Sequence, residues 1–284
     1  MSTWFSVVAA QLAFAANSVL CRLALGAGAL DPASFTLVRL ASGAAVLALL
    51  DRRPAPPREW RRTGGAAAAL ALYAVAFSFA YRSIGAGAGA LILFGAVQVS
   101  MAGAALRAGE RFGRLESVGM LCALAGLLVL VAPGVAVPSL GGALLMAVAG
   151  VAWGAYSILG RASTAPVHDT ALNFRFAATL ALAVSLAQAA HLHLSLRGVA
   201  LAVLSGALAS GLGYVAWYRA VPRLTALNAA ALQLSVPVLA ALGGIALLGE
   251  SWSRRLGIAA AAILGGIGLA LWSRRRAQRA RRPG

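Results

Sequence analysis

The stretches "GAALRAGERFGRLESVGM" (residues 103–120) and "GIALLGESWSRRLGIAA" (residues 244–260) are two copies of one pattern. In each copy an apolar run passes through a Gly-Glu pair and a short basic stretch into a second apolar run, so that Glu110 is matched by Glu250. Self-similarity at a nearly fixed offset indicates an internal duplication. Three more pairs of segments repeat in the same order: "FAANSVLCRLA" (14–24) with "WGAYSILGRAS" (153–163), "RLASGAAVLAL" (39–49) with "RFAATLALAVS" (175–185), and "AYRSI" (80–84) with "WYRAV" (217–221).

The composition of the chain is that of a membrane protein. Of its 284 residues, 61% are hydrophobic and only 11% are charged, which is too little charge to cover the surface of a soluble domain. Apolar runs of about 20 residues recur, and this is the length at which a helix crosses a bilayer. The sequence therefore predicts an all-α membrane protein with ten transmembrane helices, at roughly residues 4–21, 32–50, 64–81, 87–106, 115–132, 140–160, 169–190, 199–218, 224–248 and 256–272.

The arginines predict how these spans are oriented. The net charge of +17 arises from 24 arginines without any lysine, and 17 of the arginines lie in the loops and the tail on one side. Excess arginine marks the cytoplasmic face. Both termini are therefore predicted to be cytoplasmic, in a multi-pass protein of the bacterial inner (plasma) membrane. Because loop arginines explain the basic charge, no nucleic-acid partner is predicted.

Each half of the duplication holds five spans, an odd number, so the second half enters the membrane upside down. We predict a first five-helix repeat at residues 1–137, a second, inverted five-helix repeat at residues 138–273, and a basic cytoplasmic tail at residues 274–284. Inverted-topology repeats are typical of secondary transporters, whose solute site lies near the midplane between the halves.

The sequence resembles the drug/metabolite transporter superfamily, specifically its ten-helix EamA-type members. The resemblance is carried by Arg39 and Arg175, near the start of the second helix of each repeat, and by two blocks that share a Gly-Glu pair and a glycine-rich final helix. In the family pattern a proline precedes the Gly-Glu pair, as Pro237 does, but the first repeat has Val97 there. The two blocks are "PVLAALGGIALLGESWSRRLGIAAAAILGGIGL" (237–269) and "GERFGRLESVGMLCALAGLLVL" (109–130).

The resemblance implies export of a small molecule from the cytoplasm. Within the family, the chain is most similar to bacterial exporters of amino acids, aromatic ones included. Sugar-phosphate carriers of the superfamily place basic residues in the ninth helix, and this chain has none there, which argues against a sugar-phosphate solute.

Aromatic residues share one helical face in each of three spans, and the third and eighth spans are repeat mates. Such faces predict an aromatic-lined cavity close to the pseudo-two-fold axis. The alternative is an aromatic belt at the membrane surface, which is strongest for Tyr81 and Tyr218 because they adjoin arginines at span ends. The faces comprise Tyr73, Phe77 and Tyr81 in the third span, Trp153 and Tyr156 in the sixth, and Tyr214, Trp217 and Tyr218 in the eighth.

Polar residues at membrane depth form a second group. Each is costly in lipid unless it faces a partner or water, so it either lines a cavity or hydrogen-bonds to another helix. Arg39 and Arg175 either bind a solute carboxylate or anchor their helices by snorkelling or pairing with backbone and loop groups. Pro237 frees a backbone carbonyl in mid-helix. The neutral polar group comprises Gln11, Asn17, Ser18, Gln98, Gln233 and Ser235.

These two groups give the predicted solute-binding residues. An apolar or aromatic side chain of the solute is expected against the aromatic faces, with its zwitterionic end at the polar groups of the first, fourth and ninth spans. The predicted residues are Asn17, Phe77, Tyr81, Gln98, Trp153, Tyr156, Tyr214, Trp217, Tyr218, Gln233 and Pro237.

Residue types that are missing restrict the chemistry. The seven acidic residues fall in loops or at span ends, so no buried carboxylate is expected to carry a proton or sodium ion, and we predict facilitated export or exchange. The histidines, His168, His191 and His193, are expected at span ends or in solvated loops. No nucleophile motif, phosphate-binding loop or spaced Cys/His set occurs, so no enzyme activity, metal or cofactor is predicted.

The sequence thus predicts a secondary transporter that exports amino acids, with aromatic or apolar ones favoured, or related small metabolites by alternating access. Its partners are a small-molecule solute and membrane lipid, and its oligomeric state stays open. Three alternatives remain: an exporter of amphipathic cations or drugs, an intramembrane enzyme, and a non-transporting scaffold. The missing membrane-buried acid argues against the first, the missing nucleophile–base pair against the second, and the inverted repeat against the third.

Overall fold

The structure is a computed structural model that describes residues 3–26, 28–51, 60–83, 86–109, 113–131, 139–248 and 254–280. Helices account for nearly all of these residues, which confirms the predicted all-α fold. The eighth predicted span consists of α8, a π-helical stretch at Ser205–Leu212 and α9, and the ninth consists of α10 and α11. The helices are α1 Thr3–Cys21, α2 Pro32–Leu50, α3 Trp60–Ala80, α4 Ala86–Arg107, α5 Arg114–Val131, α6 Leu140–Gly160, α7 Pro166–Ala187, α8 Leu196–Leu204, α9 Gly213–Ala220, α10 Ala226–Gln233, α11 Ser235–Leu248 and α12 Arg254–Ala280.

The helices have the length and the surface of membrane spans. Large apolar side chains face outward, as at Leu49, Leu140 and Leu247, which are each at least 74% exposed. A soluble protein would not expose so many large apolar side chains, so the chain is a multi-pass membrane protein. Within the described residues, five stretches are long and apolar enough to cross a bilayer, at Thr3–Leu25, Pro32–Leu50, Leu140–Gly160, Pro166–Ala187 and Leu196–Arg223, and shorter apolar helices lie at Gly64–Ala80, Ile92–Arg107, Ala231–Leu247 and Gly257–Ser273.

The packing of the helices is symmetric between the two halves. Helix α3 packs on α6, and the equivalent pair five spans later, α9 with α1, is also in contact. In the same way the α4–α6 contact has its counterpart in α11 with α1. The repeat mates α2 and α7 pack on each other, as do α5 and α12. Exchanging the halves thus reproduces the contacts, as the predicted duplication requires.

Pro237 explains why the ninth span is broken. A proline lacks the backbone N–H and its ring clashes with the carbonyl four residues earlier, which here belongs to Gln233. Helix α10 ends at Gln233, and α11 begins at Ser235. Val97 holds the equivalent place in the first repeat, and α4 continues without a break from Ala86 to Arg107.

Helix α12 extends further than predicted. It continues to Ala280, seven residues into the segment 274–284 that was predicted as a tail. The sequence there is rich in arginine, alanine and glutamine, which are good helix formers. The glutamates of the repeated Gly-Glu pairs, Glu110 and Glu250, lie outside the described residues.

Two loops from different halves are joined at the face that the arginines predict to be outer. Asp31 is the N-cap of α2: its Oδ1 accepts a hydrogen bond from the Ser34 N–H at 2.9 Å, and its Oδ2 accepts one from the His193 N–H at 3.2 Å. The Ser195 hydroxyl donates to the Ala29 carbonyl at 2.7 Å. Partial burial opposes ionisation of Asp31, but the hydrogen bonds from Ser34 and His193 outweigh it and lower the pKa of the carboxyl.

Replacing Asp31 with alanine is expected to lower the free energy of unfolding by ~1–2 kcal/mol, because the α2 cap and the link to the His193 loop are both lost. Asp31→Asn keeps an acceptor and is the matched control. Because its pKa is lowered in the folded protein, the Asp31 carboxylate stabilises the fold at neutral pH. This contribution to the free energy of unfolding disappears as the pH falls through the pKa of the folded state. Thermal unfolding of the detergent-purified variants at neutral and acidic pH measures both effects, and equal midpoints for wild type and Asp31→Ala would contradict the assignment.

Candidate solute-binding site

A narrow cavity of about 30 Å³ lies where the two halves meet. Its walls come from α1, α3, α4, α6, α9, α10 and α11, so both halves contribute. A volume of this size holds only one or two water molecules. A larger molecule would fit only if these helices moved apart. The lining residues are Phe14, Asn17, Ser18, Tyr73, Phe77, Leu93, Phe94, Trp153, Tyr214, Gln233 and Val236.

Trp153 of α6 is the centre of the aromatic wall. Its ring centroid lies 4.8 Å from that of Tyr214, 5.1 Å from that of Tyr73 and 5.2 Å from that of Phe14. These rings come from four different helices and meet in edge-on or tilted arrangements, which contribute about 0.5–1.5 kcal/mol per pair beyond the burial of their area. The wall thus joins the two halves through aromatic contacts.

Two polar lining residues, Asn17 and Gln233, are hydrogen-bonded between helices. The Trp153 Nε1–H donates to Gln233 Oε1, and Gln233 Nε2 donates to the Met101 sulfur at 3.3 Å. Asn17 Oδ1 accepts from the Ser205 hydroxyl at 2.5 Å. Asn17 and Gln233 therefore do both things that the sequence allowed: they line the cavity, and they hydrogen-bond to another helix.

Of the predicted site residues, the structure brings five together around the cavity: Asn17, Phe77, Trp153, Tyr214 and Gln233. The other six do not line it. Gln98 is buried on α4, and Pro237 lies in α11, just after the break that follows Gln233. Tyr81 lies towards the predicted outer face. The remaining three are Tyr156, Trp217 and Tyr218.

These three aromatic residues pack behind the cavity instead of lining it. The Trp217 ring is completely buried and contacts Phe14 at a centroid distance of 5.9 Å, and the Tyr218 hydroxyl donates to the Tyr156 carbonyl at 2.9 Å. Gly160 leaves room for Tyr218, since a Cβ at that position would lie 1.8 Å from the ring. All three are inside the bundle, so the belt interpretation is wrong for Tyr218.

Arg39 has surroundings that the sequence did not indicate. Its guanidinium is 1% exposed, donates from Nε to the Ser210 hydroxyl at 2.9 Å, and donates from Nη2 to the hydroxyls of Tyr214 at 3.0 Å and Tyr73 at 3.4 Å. Its partners among the described residues are side-chain hydroxyls inside the bundle, so it does not snorkel and pairs with no backbone or loop group of the described chain. Its repeat mate Arg175 is exposed on α7.

Several lining residues were missed, although some left a signal in the sequence. Phe14 precedes Asn17 and Ser18 by three and four residues, the spacing of one helical face. Ser205 and Ser210 contact Asn17 and Arg39 from the π-helical stretch, a type of structure that often occurs at functional sites and has no sequence signature. Leu93, Phe94 and Val236 are apolar residues among many and gave no signal.

A second, larger cavity opens at the predicted outer face. Its volume is about 260 Å³. Tyr81 lines this outer cavity, Phe77 lines the central one, and the two rings touch edge to face at a centroid distance of 4.8 Å. This aromatic pair therefore lies between the two cavities. The outer lining residues are Leu25, Gly28, Leu30, Asp31, Pro32, Ala33, Phe79, Tyr81, Arg82, Gln188, His191 and His193.

Asp51 and His168 form a buried pair between the repeat mates α2 and α7. The Asp51 Oδ2 and His168 Nδ1 atoms are 2.8 Å apart, with side chains 8% and 7% exposed. Asp51 and His168 thus lie at span ends, as the sequence predicts, but both side chains are buried. Asp51 does follow the end of α2, but α7 covers it. Among the described residues, no group of three or more His, Cys, Asp or Glu side chains is arranged to hold a metal ion.

The fold and the cavity define a multi-pass helical membrane protein with an interior site between two halves. Residues 140–272 match the EamA-like transporter family. An uncharacterized protein of Pseudomonas aeruginosa is 53% identical over 274 residues, which cover 95% of this chain and 94% of the relative. A solved crystal structure shares the fold at a TM-score of 0.75 and 24% identity, covering 93% of this chain and 98% of its own. Residues 140–272 thus form an EamA-like transporter family domain, and the chain is consistent with a membrane transporter of small molecules in the drug/metabolite transporter superfamily.

Proposed function

We propose that the protein is an inner-membrane exporter of amino acids, with aromatic and apolar ones favoured, that works by alternating access. The observation that carries this proposal is the central cavity, which combines an aromatic wall around Trp153 with the amide groups of Asn17 and Gln233. An apolar side chain fits the wall, and a zwitterionic end requires polar partners. Both halves contribute to the lining, so their relative movement would open it.

The competing proposal, an exporter of amphipathic cations, has less support from the site. Aromatic faces do bind cations. However, none of the described lining residues carries a carboxylate, and the Arg39 guanidinium lies 5.4 Å from the Tyr73 ring centroid and 5.9 Å from that of Phe77. A positive solute against these rings would be repelled by the guanidinium, because the medium around them has a low dielectric constant.

The Phe77–Tyr81 pair supports an exit route. It is the contact between the central and the outer cavity, and rotation of two aromatic rings would join them. With the arginine-derived orientation, the outer cavity faces the periplasm. The proposed path therefore runs from the central cavity past Phe77 and Tyr81 and between the loops that Asp31 and His193 join.

A transport assay in reconstituted vesicles tests the function. Proteoliposomes loaded with labelled phenylalanine or threonine are expected to release label faster than protein-free vesicles, with phenylalanine released faster than threonine. Quaternary methylated ammonium ions are the competitors that report on the cation alternative. Carrier-dependent release of none of the twenty amino acids would sink the proposal, and strong inhibition by quaternary ions without amino-acid release would favour the alternative.

Energy coupling is tested in the same vesicles. We propose facilitated export or exchange, since no carboxylate occurs among the described residues of the cavity wall. Release measured with and without an imposed pH gradient decides this, and release that strictly requires the gradient would direct attention to the buried Asp51–His168 pair.

A further inference from the structure

We propose that Arg39, together with the hydroxyls of Tyr73 and Tyr214, forms an anion subsite that binds the carboxylate of the transported solute. This inference rests on the proposed amino-acid transport, and for Arg39 it decides between the two roles that the sequence left open, a carboxylate ligand and a structural anchor. It also means that the protein recognises the carboxylate of the solute more strongly than the amino group.

The hydrogen bonds of Arg39 leave part of its guanidinium unused. Nε and Nη2 donate to three hydroxyl groups, but Nη1 is buried and makes no hydrogen bond. Buried donors in proteins are almost always paired, and an unpaired one indicates a missing partner. Nη1 carries two N–H groups, and either can donate a charge-assisted hydrogen bond to a carboxylate oxygen.

The charge of Arg39 leads to the same conclusion. Arginine stays protonated in a protein, so burial cannot neutralise it. A buried charge is costly unless it is paired. Among the described residues, no carboxylate forms an ion pair with Arg39; its polar partners are neutral hydroxyls and its neighbours are the Tyr73 and Phe77 rings. The counterion is therefore absent from the described part of the chain, and a carboxylate solute would supply it.

Two tyrosines connect this charge to the central cavity. Tyr73 and Tyr214 both line the cavity, and both accept a hydrogen bond from Nη2 through the hydroxyl oxygen. The two hydroxyls also hydrogen-bond to each other, so one of their two hydrogens remains for an acceptor in the cavity. A carboxylate at this point would accept that hydrogen and face the guanidinium, while a hydrophobic side chain lies along Trp153.

The subsite also bridges the two halves. Arg39 and Tyr73 belong to the first repeat, whereas Ser210 and Tyr214 belong to the second. A carboxylate held between them would contact both halves at once. Because a ligand shifts a conformational equilibrium only through contacts that differ between the states, this position couples binding to the movement of one half against the other.

Equilibrium binding to the detergent-purified full chain is the test, with three labelled probes that share one ring. Phenylalanine carries both groups, 3-phenylpropionate lacks the amine, and phenethylamine lacks the carboxylate. Wild type is expected to bind phenylalanine and 3-phenylpropionate and to bind phenethylamine at least about 10-fold more weakly. Arg39→Gln is expected to lower the affinity for the two carboxylate probes by roughly 10- to 100-fold. Its affinity for phenethylamine should be unchanged or higher.

Arg175→Gln is the matched control, since it removes the same charge from the equivalent but exposed position of the other repeat. It should keep the wild-type preference. The unfolding midpoint shows whether Arg39→Gln is folded. If the folded variant still prefers the carboxylate probes as strongly as wild type does, the subsite is overturned. If Arg39→Gln does not fold, the double variant Tyr73→Phe/Tyr214→Phe decides: a lost preference for carboxylates supports the subsite, and an unchanged one overturns it.

The outcomes for the subsite and for the proposed function are distinguishable. If wild type transports phenylalanine and Arg39→Gln binds it equally well, the subsite fails and amino-acid export stands. If wild type binds 3-phenylpropionate but no amino acid, the subsite stands and the export of amino acids fails. If wild type binds phenethylamine alone, both fail.

Discussion

Replacing Trp153 with alanine is expected to abolish phenylalanine release above the protein-free background. The side chain contacts the rings of Phe14, Tyr73 and Tyr214, and it donates to Gln233. Truncation removes the centre of the aromatic wall and leaves an acceptor without its donor. Truncation of a buried Trp also costs ~3–5 kcal/mol of stability, so release is to be normalised to folded protein.

Trp217→Ala separates the loss of stability from the loss of function. Trp217 is completely buried and close to Phe14, but it does not line the cavity. We expect its truncation to destabilise the protein about as much as Trp153→Ala while folded molecules still release phenylalanine. Trp153→Phe, which keeps a ring and loses the N–H, should fall between wild type and Trp153→Ala. If folded Trp153→Ala releases phenylalanine as fast as folded Trp217→Ala does, the aromatic wall around Trp153 has no role in binding the solute.

The fold was largely predictable because its causes are local. The length of an apolar run reports that a helix crosses the bilayer, and the arginine-rich loops and the repeats divide the runs at the right places. Even the break of the ninth span follows from one residue, since Pro237 clashes with the carbonyl of Gln233. What was missed, such as the π-helical stretch Ser205–Leu212, depends on packing with α1 and α2 and has no local signal.

The site was predictable only in part, because hydrophobicity does not show which face of a membrane helix turns inward. Lipid is as apolar as the protein interior, so a helical face of aromatic residues indicates burial without indicating a cavity. Tyr214 and Trp217 share a face of α9, yet only Tyr214 lines the cavity. The distinction depends on which neighbouring helix each ring meets.

Arg39 and Arg175 show how two copies of one motif can diverge. By the offset between "AYRSI" and "WYRAV", the mate of Tyr214 is Phe77, which has no hydroxyl. A hydrogen bond equivalent to that between Arg39 and Tyr214 is therefore impossible for Arg175, and this side chain is exposed. The sequence contained this asymmetry, but its consequence depends on contacts between the halves.

Replacing Gly266 with valine is expected to separate α5 from α12 and to cost ~3 kcal/mol or more of stability. A Cβ on Gly266 would lie 2.4 Å from the Gly119 carbonyl oxygen and 2.7 Å from the Ala123 nitrogen, and one on Gly119 would lie 2.5 Å from the Gly266 oxygen. These are backbone atoms of the facing helix, so no side-chain rotation relieves the clash. The unfolding midpoint of the detergent-purified variant should fall by roughly 5 °C or more.

Gly265→Val and Gly268→Val are the matched controls on the same helix. A Cβ at either position would meet nothing within 4 Å, so their effect is limited to the small difference in helix propensity. All three glycines belong to the stretch "LGGIG" (264–268), whose composition predicts close packing without showing which glycine provides it. Since α5 and α12 are the last spans of the two repeats, the contact between Gly119 and Gly266 joins the first repeat to the second. If Gly266→Val and Gly265→Val unfold at the same midpoint, the two helices do not meet through this pair of glycines.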